Sequence, residues 1–220
     1  MVERLCRLMV MAVVGFAALS GVANGQQSVN SKPTKLVAFG DSLTAGLGLP
    51  QAASFPAKLE AALLAKGHKV EVVNAGVSGD TVADGLARLD WSIPRDADAV
   101  IIELGANDAL RGLDPKATRA GLDEIVKRLR QRNVAVMLAG MYAPRNLGPD
   151  YSAQFDPIYP DLAKAYDLPL YPFFLDGVAT DPKLNQADGL HPTAAGVDVI
   201  VARILPTVEA LLTKVSAQRS

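Results

Sequence analysis

Residues 35–43 read KLVAFGDSL, a short apolar run that ends in a glycine, an aspartate and a serine. The run at residues 35–39 predicts a buried strand, and Gly40 lets the chain turn sharply out of it. Ser42 then stands at the carboxyl end of that strand, where a serine acts either as a nucleophile or as the N-cap of a helix. Asp41 is expected to tie the turn through backbone hydrogen bonds. We interpret Ser42 as a catalytic nucleophile.

The stretch DGLHP at residues 188–192 supplies the partners that a serine nucleophile needs. A serine hydroxyl attacks a carbonyl only if a base takes its proton, and an imidazole does so only if its orientation is held. His191 is the candidate base, and Asp188 is close enough in sequence to bind one ring nitrogen while the other faces Ser42. The other histidine, His68, lies beside lysine and glycine in a predicted turn, and we interpret it as a surface residue.

Strand-like and helix-like segments alternate along the chain. Five short apolar runs predict strands, at residues 35–39, 70–74, 99–104, 134–139 and 168–172. Helical spacing marks the segments at residues 52–66, 114–129 and 193–214. Strands that are apolar throughout and joined by helices are typical of a parallel sheet covered on both faces. The sequence therefore predicts an α/β fold, a three-layer α/β/α sandwich.

In such sheets the active crevice lies beyond the carboxyl ends of the strands, and further candidate residues are found there. The segments after the second, third and fourth predicted strands are residues 74–80, 105–108 and 141–146. Gly79 either belongs to a simple strand-to-helix turn or presents a backbone N–H to the oxyanion that forms when Ser42 attacks. The side chain of Asn107 either caps the next helix or donates to the same oxyanion.

The 220 residues suffice for one sizeable core, so we expect a single domain. Residues 1–25 read as a secretory signal, with Arg4 and Arg7 before an apolar stretch and small residues at its end. An uncleaved membrane anchor is the alternative, but the apolar stretch is shorter than the roughly 20 residues that span a bilayer. We predict cleavage after residues 1–25, a polar leader at residues 26–34 and the domain at residues 35–220. The protein would be periplasmic or secreted, with no stable membrane insertion.

Composition excludes several other classes of function. The formal net charge is −1, which indicates neither nucleic-acid binding nor a strongly charged partner. Cys6 is the only cysteine and lies in the predicted signal, so the mature chain has no disulfide and no cysteine nucleophile. Two histidines are too few for a multi-histidine metal site. Gly46 and Gly48 lack the Lys and Ser/Thr pair that completes a phosphate-binding loop.

Four blocks of sequence, taken in order, resemble the GDSL or SGNH hydrolases. They are GDSL at residues 40–43, Gly79, Asn107 within GAND at residues 105–108, and Asp188 with His191. The resemblance extends over residues 35–212. The segments at residues 104–112, 159–165 and 169–174 look like the bacterial group of acyl thioesterases, arylesterases and lysophospholipases.

This resemblance implies a flavodoxin-like parallel sheet of strand order 2-1-3-4-5. It also implies that Ser42 is the nucleophile, that His191 is the base and that Asp188 orients the imidazole. The oxyanion hole would consist of the Ser42 N–H, the Gly79 N–H and the Asn107 side chain. No metal or organic cofactor is expected.

Residues near the predicted crevice bear on the choice of substrate. Ala106 stands where many relatives carry glycine, which narrows the pocket beside Asn107 without removing its donor. Eight apolar or aromatic side chains either hold an acyl chain or aromatic ring or simply pack the loops: Leu47, Leu49, Leu110, Met141, Tyr142, Leu147, Tyr151 and Phe155. The predicted substrate contacts are Leu47, Leu110, Met141, Tyr142 and Tyr151.

We expect a small-molecule substrate, an aryl or short-to-medium acyl ester, with thioesters and lysophospholipids as further candidates. The reaction would proceed through an acyl-enzyme intermediate on Ser42. Two alternatives stay open. One is a carbohydrate O-deacetylase of the same superfamily, for which the single Trp91 lies away from the predicted site; the other is an exported α/β binding protein without turnover. We expect a monomer that does not bind nucleic acid and has no stable membrane insertion after signal cleavage.

Overall fold

The computed structural model describes residues 32–219. From Lys32 onward the chain forms one compact unit. The predicted signal peptide at residues 1–25 and most of the predicted polar leader lie outside the described residues. The last residue of that leader, Thr34, belongs to the first strand, and its N–H donates to the Lys69 carbonyl at 2.8 Å. None of the described helices has both the length and the apolar character needed to cross a membrane.

A five-stranded parallel sheet forms the middle of the domain. Its strands are β1 (Thr34–Gly40), β2 (Val70–Gly76), β3 (Ala99–Glu103), β4 (Ala135–Ala139) and β5 (Leu170–Tyr171). Their order across the sheet is β2-β1-β3-β4-β5, and every neighbouring pair is parallel. The expected α/β class and the strand order 2-1-3-4-5 are confirmed. Because β1 pairs on both sides, Ser42 follows an internal strand rather than an edge.

In the described part of the chain, eight α-helices connect and follow the strands. They are α1 (Ser42–Ala45), α2 (Phe55–Ala65), α3 (Val82–Ser92), α4 (Ala106–Leu110), α5 (Pro115–Gln131), α6 (Pro149–Phe155), α7 (Ile158–Tyr166) and α8 (Ala194–Arg219). α3 begins with a capping box, in which Thr81 and Asp84 each accept from the backbone N–H of the other. α5 begins as the sequence predicts, with Asp114 as N-cap and Pro115 in the first turn.

The helices cover both faces of the sheet. α2 and α8 pack on one another and on the strands, and α3 and α5 pack on one another. The chain moves from β1 outward to β2 and then back across the sheet to β3, so right-handed crossovers place these two pairs on opposite faces. Strand side chains between the layers are fully buried, among them Phe39, Ile101 and Met137. The observed architecture is therefore the expected three-layer α/β/α sandwich.

Two segments differ from the sequence prediction, and two helices were not predicted. The helix expected at residues 52–66 is divided, because Ser54 has extended backbone angles between a 3₁₀ turn at Gln51–Ala53 and α2. β5 is short because Pro169 and Pro172 flank it, and proline has no N–H to give to a sheet ladder. The helices α6 and α7 lie in the connection between β4 and β5, and residues 141–145 of that connection line the same cleft as Ser42.

Candidate active site

Ser42, His191 and Asp188 form a hydrogen-bonded relay. The Nε2 atom of His191 lies 2.8 Å from the Oγ of Ser42, and its Nδ1 atom lies 2.7 Å from the Oδ2 of Asp188. Ser42 is the first residue of α1, just beyond the end of β1. Asp188 and His191 come from the loop before α8. This geometry lets the imidazole take the serine proton while the carboxylate binds the opposite ring nitrogen.

Backbone hydrogen bonds fix the carboxylate of Asp188. Its Oδ1 accepts from the N–H of His191 at 3.0 Å and from the N–H of Leu190 at 2.9 Å. These bonds and the contact with the imidazole stabilise the charged form, so they hold the pKa of Asp188 well below its ordinary value. Asp188 is therefore ionised throughout the pH range in which an imidazole titrates, and it favours the tautomer of His191 with a hydrogen on Nδ1.

Gln186 fastens this loop to the nucleophile side of the site. Its N–H donates to the His191 carbonyl at 2.7 Å, and its side-chain amide donates to the carbonyls of Leu47 at 2.8 Å and Pro192 at 3.0 Å. Leu47 follows α1, the helix that begins at Ser42. The sequence alone does not identify Gln186, because a polar side chain near a histidine is no signal of which segment it binds.

The turn that carries Ser42 is built on the buried carboxyl group of Asp41. Asp41 is the N-cap of α1, where its Oδ1 accepts from the Leu43 N–H at 3.0 Å. Ser42 is therefore not the cap of this helix, and its hydroxyl binds His191 instead. Burial raises the pKa of Asp41 to about 6, although hydrogen bonds from Leu43 and Asn107 favour its charged form.

The side chain of Asn107 lies beside Asp41 and uses both of its amide hydrogens. Its Nδ2 donates to the Oδ2 of Asp41 at 3.1 Å and to the Asp80 carbonyl at 3.0 Å. The N-cap of α4 is Gly105, so Asn107 does not cap that helix. Because an amide nitrogen carries only two hydrogens, Asn107 can bind a substrate oxyanion only by sharing or exchanging one of these acceptors.

Gly79 lies between β2 and α3 with a φ of +90°. Within 4 Å, a Cβ at this position would meet only the Arg111 guanidinium, at 3.9 Å, so lack of space does not require glycine. The positive φ does, because other residues rarely adopt it. The Nη2 of Arg111 also donates to the Gly79 carbonyl at 2.8 Å. The absence of a side chain leaves the backbone of this residue open to close approach, as an oxyanion donor requires.

A second buried carboxyl group, that of Glu103, lies against the same turn. Glu103 ends β3, is 1% exposed, and its Oε2 accepts from the Thr44 hydroxyl at 2.7 Å. Its Oε1 is buried and has no hydrogen-bond partner among the described residues. Burial raises the pKa of Glu103 well above its ordinary value, and the charge of Asp41 acts in the same direction. The prediction missed this residue, although a glutamate at the end of the apolar strand AVIIE is a recognisable signal.

The relay opens into a largely apolar cleft of about 540 Å³. The apolar lining includes three of the predicted substrate contacts and three further residues: Leu110, Met141, Tyr142, Phe173, Leu175 and Leu190. The ring of Tyr142 stacks on Phe173, with centroids 4.9 Å apart. Apolar walls around a hydroxyl nucleophile suit an acyl chain or an aromatic ring. Within residues 32–219, no group of three or more His, Cys, Asp or Glu side chains is arranged to hold a metal ion.

The structure places two of the predicted substrate contacts outside this lining. Leu47 lies on an exposed loop, where its carbonyl is held by Gln186. The Tyr151 hydroxyl donates to the Leu113 carbonyl at 2.8 Å, and its ring stacks on Phe155. Tyr151 thus joins α6 to the loop between α4 and α5, which is the loop-packing role that the sequence left open.

Phe173, Leu175 and Leu190 line the cleft, although the sequence did not predict them as substrate contacts. Phe173 and Leu175 follow β5, so the rule that crevices lie beyond strand ends points to them. Leu190 lies between the two loop residues of the relay, where an apolar side chain among polar neighbours was the available signal.

Known proteins resemble this chain in sequence and in structure. The model of the GDSL-like Lipase/Acylhydrolase family matches residues 38–199. The chain is 43% identical over 159 residues to an arylesterase of Vibrio mimicus, which covers 72% of this chain and 80% of that protein. It is 40% identical over 158 residues to thioesterase 1/protease 1/lysophospholipase L1 of Escherichia coli (strain K12), which covers 71% of this chain and 74% of that protein. The crystal structure of AlinE4, an SGNH-hydrolase family esterase, matches with a TM-score of 0.69 and 47% identity, covering 83% of this chain and 98% of that chain.

Proposed function

The chain belongs to the GDSL-like lipase/acylhydrolase family and hydrolyses carboxylic esters, and we propose that Ser42 is the nucleophile of that reaction. His191 acts as the general base, and Asp188 holds its imidazole. The observation that carries this assignment is the pair of contacts made by His191, 2.8 Å to the Ser42 hydroxyl and 2.7 Å to the Asp188 carboxylate. A base that is itself oriented by a carboxylate is what activates a serine toward a carbonyl carbon.

In the first step, the Oγ of Ser42 attacks the acyl carbonyl carbon while its proton passes to the Nε2 of His191. The carbonyl oxygen becomes an oxyanion, and its donors in this proposal are the backbone N–H groups of Ser42 and Gly79 and the amide of Asn107. Collapse of the tetrahedral intermediate breaks the bond to the leaving group, which takes the proton from His191. The acyl group stays on Ser42 as an ester.

In the second step, a water molecule attacks this ester and gives a proton to His191. Collapse of the second tetrahedral intermediate releases the carboxylic acid and returns the proton to the Oγ of Ser42. Asp188 stabilises the imidazolium in both steps, because its hydrogen bonds keep it ionised at neutral pH. The cycle needs only water and the ester as reactants.

The proposed substrates are aryl and short-to-medium acyl esters. The apolar cleft of about 540 Å³ beside Ser42 supports this choice, since its apolar lining can contact an acyl chain or an aryl ring. Thioesters and lysophospholipids are further candidates, in line with the name of the Escherichia coli relative. The sugar-ester alternative gains no support from Trp91, which is 76% exposed in the last turn of α3, outside the cleft lining.

The role of Ser42 is tested with initial rates on aryl esters from acetate to palmitate. Ser42→Ala should abolish turnover and leave the fold intact, because it removes one oxygen atom. Ser152→Ala is the matched control, since Ser152 is a buried serine whose hydroxyl donates to the Gly148 carbonyl at 3.2 Å, away from the relay. If the Ser42-dependent rate is highest at one acyl-chain length, that length indicates how long a chain the pocket holds.

A serine-reactive organophosphorus compound separates catalysis from simple binding. It should label the wild type and Ser152→Ala but not Ser42→Ala, because only an activated serine reacts. Turnover or labelling that survives in Ser42→Ala would contradict the assignment. If the protein is labelled but turns over no aryl ester, sugar acetyl esters become the favoured substrates. If the folded protein is not labelled, a binding protein without turnover is favoured.

The proposal includes export and a monomeric enzyme. Residues 1–25 have the composition of a cleaved signal, with basic residues before an apolar stretch. N-terminal sequencing of the exported protein should find a chain that begins near Gln26, whereas a cytoplasmic chain that begins at Met1 would contradict it. Light scattering of the mature protein should give the mass of one chain.

A further inference from the structure

Among the side chains that the structure describes, Arg88 of α3 is the one basic side chain that is buried. Its Nη2 donates to the Gly40 carbonyl at 2.9 Å, its Nη1 to the Ala75 carbonyl at 2.9 Å, and its Nε to the Asp80 carboxylate. Its Nη1 also donates to the Ser92 hydroxyl at 3.1 Å. Burial of an unpaired charge is costly, and here each of the three guanidinium nitrogens has a partner.

The groups that Arg88 joins flank two of the proposed oxyanion donors. Gly40 lies two residues before Ser42, and its carbonyl is fixed by the guanidinium at 2.9 Å. The end of β2 and Asp80 stand on either side of Gly79, and Arg88 binds both of them. One planar cation therefore links the nucleophile turn to the segment that contains Gly79.

Asp80 extends this restraint to the third donor. Its side chain binds Arg88, while its carbonyl accepts from the Nδ2 of Asn107 at 3.0 Å. The second hydrogen of that amide donates to Asp41 at 3.1 Å. A shift of the Asp80 backbone would consequently redirect the Asn107 amide.

Other bonds also act on the segment between β2 and α3: the Val77 N–H donates to the Gly40 carbonyl at 3.0 Å, the Asp80 N–H donates to the Val77 carbonyl at 3.2 Å, and Arg111 donates to the Gly79 carbonyl at 2.8 Å. Val77 is 42% exposed, Ser78 is also exposed, and Gly79 has a positive φ. An oxyanion donor stabilises the transition state only if it is held within about 0.5 Å of its productive position. The rigid fork of a guanidinium reaches several acceptors at once, which a lysine ammonium on a flexible chain does not.

We propose that Arg88 is a positioning residue for the oxyanion hole, acting through Asp80 on the Gly79 N–H and the Asn107 amide. The inference rests on the proposed function, since these donors serve hydrolysis at Ser42. Arg88 itself touches neither the substrate nor the reacting atoms. It lies over the Phe39 ring, 4.3 Å from its centroid, so a packing role has to be separated from a positioning role.

Two variants of different severity and one matched control distinguish a packing role of Arg88 from a positioning role. Arg88→Lys keeps the positive charge but loses the planar guanidinium that reaches several acceptors at once. Asp80→Asn keeps the shape of the side chain but removes its negative charge, which weakens its contact with Arg88. Arg132→Lys is the control, because Arg132 donates to the carbonyls of Ile93 at 3.0 Å and Pro94 at 2.9 Å, just after the same helix. The measurements are kcat and KM for an aryl acetate well below the Tm, the Tm itself, and the inhibition constant of a trifluoromethyl ketone. Such a ketone forms a tetrahedral oxyanion on the serine and so reports on the hole directly.

We expect Arg88→Lys to lower kcat about 10- to 100-fold and Asp80→Asn about threefold or more, less than the loss of a whole donor. KM should stay within about twofold, and affinity for the ketone should fall by the same factor as kcat/KM. Arg132→Lys should leave kcat, KM and ketone affinity unchanged. The pH midpoint of kcat/KM should also be unchanged in both test variants.

A purely structural role predicts a different result, a lower Tm with unchanged kcat and ketone affinity of the folded protein, and that result would overturn the proposal. If Arg88→Lys does not fold, Asp80→Asn decides by the same criteria. Organophosphorus labelling of the wild type keeps the two proposals apart. An unlabelled wild type means that the proposed function fails, whereas a labelled wild type with unchanged Asp80→Asn kinetics overturns only the positioning role.

Discussion

The two halves of the candidate active site are held in different ways. The nucleophile half, Asp41, Ser42 and Glu103, is buried, with exposures of 0%, 8% and 1%, at the end of strands in the middle of the sheet. The loop half, Asp188 and His191, has side chains that are 45% and 19% exposed and is fixed by hydrogen bonds within a loop. Changes in the loop half should therefore alter the rate with little effect on stability, and changes in the buried half should alter both.

Removal of the base should separate the effect on rate from the effect on stability most clearly. His191→Ala should lower kcat by about 10⁴-fold or more, because the serine loses its proton acceptor. The Tm should change by no more than about 2 °C, since the residue lies on a partly exposed loop. His68→Ala is the control, because His68 contacts Glu209 on the surface at 3.1 Å, outside the relay. Activity and unfolding temperature, measured on the same samples, check the expected fall in kcat and the expected small change in Tm.

Asn107→Ala should have the next largest effect, and it should act on both quantities. The kcat should fall about 10²- to 10³-fold while KM changes little, because the oxyanion exists only in the transition state. The Tm should fall by several degrees, since the buried Asp41 loses a hydrogen-bond donor, at a cost of about 1 to 3 kcal/mol. An increase in KM with an unchanged kcat would be incompatible with a role at the oxyanion.

The buried carboxyl groups should make the stability of the nucleophile half depend on pH. A raised pKa in the folded state gives stability that is fully present below the unfolded pKa and is lost as pH rises through the folded pKa. For Asp41 this window runs from 3.8 to about 6, and for Glu103 it begins at 4.5 and extends well above that value. The contribution of these two groups to stability should therefore fall as the pH rises from acid toward neutral, which is opposite in sign to the contribution of carboxyl groups with a lowered pKa such as Asp188.

Glu103→Gln tests the contribution of Glu103 to this pH dependence, because glutamine stays neutral at every pH. Its Tm should fall less than that of the wild type between about pH 5 and pH 8, by a few degrees for a domain of this size. The partly exposed Glu124, which pairs with Arg128, gives the matched control Glu124→Gln. If the Tm of Glu103→Gln and the Tm of the wild type change with pH in parallel, Glu103 is not the source of the pH-dependent loss of stability.

The smallest effect is expected from two leucines with nearly equal exposure. Leu110 is 50% exposed and lines the cleft, whereas Leu47 is 46% exposed and does not. Leu110→Ala should raise KM for an octanoyl ester about three- to tenfold and leave KM for an acetyl ester unchanged. Leu47→Ala should change neither. Equal effects of the two substitutions on the octanoyl ester would mean that the acyl chain does not follow the cleft.

The sequence predicts the fold and the convergence of the site because both depend on local patterns. Apolar runs and helix caps determine the order of elements, and strand ends determine which loops meet. That rule is enough to bring Ser42, Asn107 and His191 to one cleft, as the structure shows. It says nothing about the direction of a side chain in an irregular loop, and so Leu47 and Tyr151 were assigned to a surface that they do not line.

Residues that act through distant partners could not be predicted in the same way. Arg88 reads as one more polar position in an amphipathic helix, and Gln186 as one more polar loop residue. Their importance lies in the carbonyls that they bind, on segments 48 and 139 positions away for Gly40 and Leu47. Such pairings follow from the packed structure rather than from a periodic pattern.

The relay also ties catalysis to the order in which the chain is made. Ser42 and His191 are 149 positions apart, so a ribosome releases the nucleophile early and the base late. Through most of its synthesis the chain carries a serine with no proton acceptor, and such a hydroxyl is a weak nucleophile. In the proposed mechanism, hydrolysis therefore begins only after the loop that carries His191 has folded beside Ser42, where Gln186 donates to the Leu47 carbonyl.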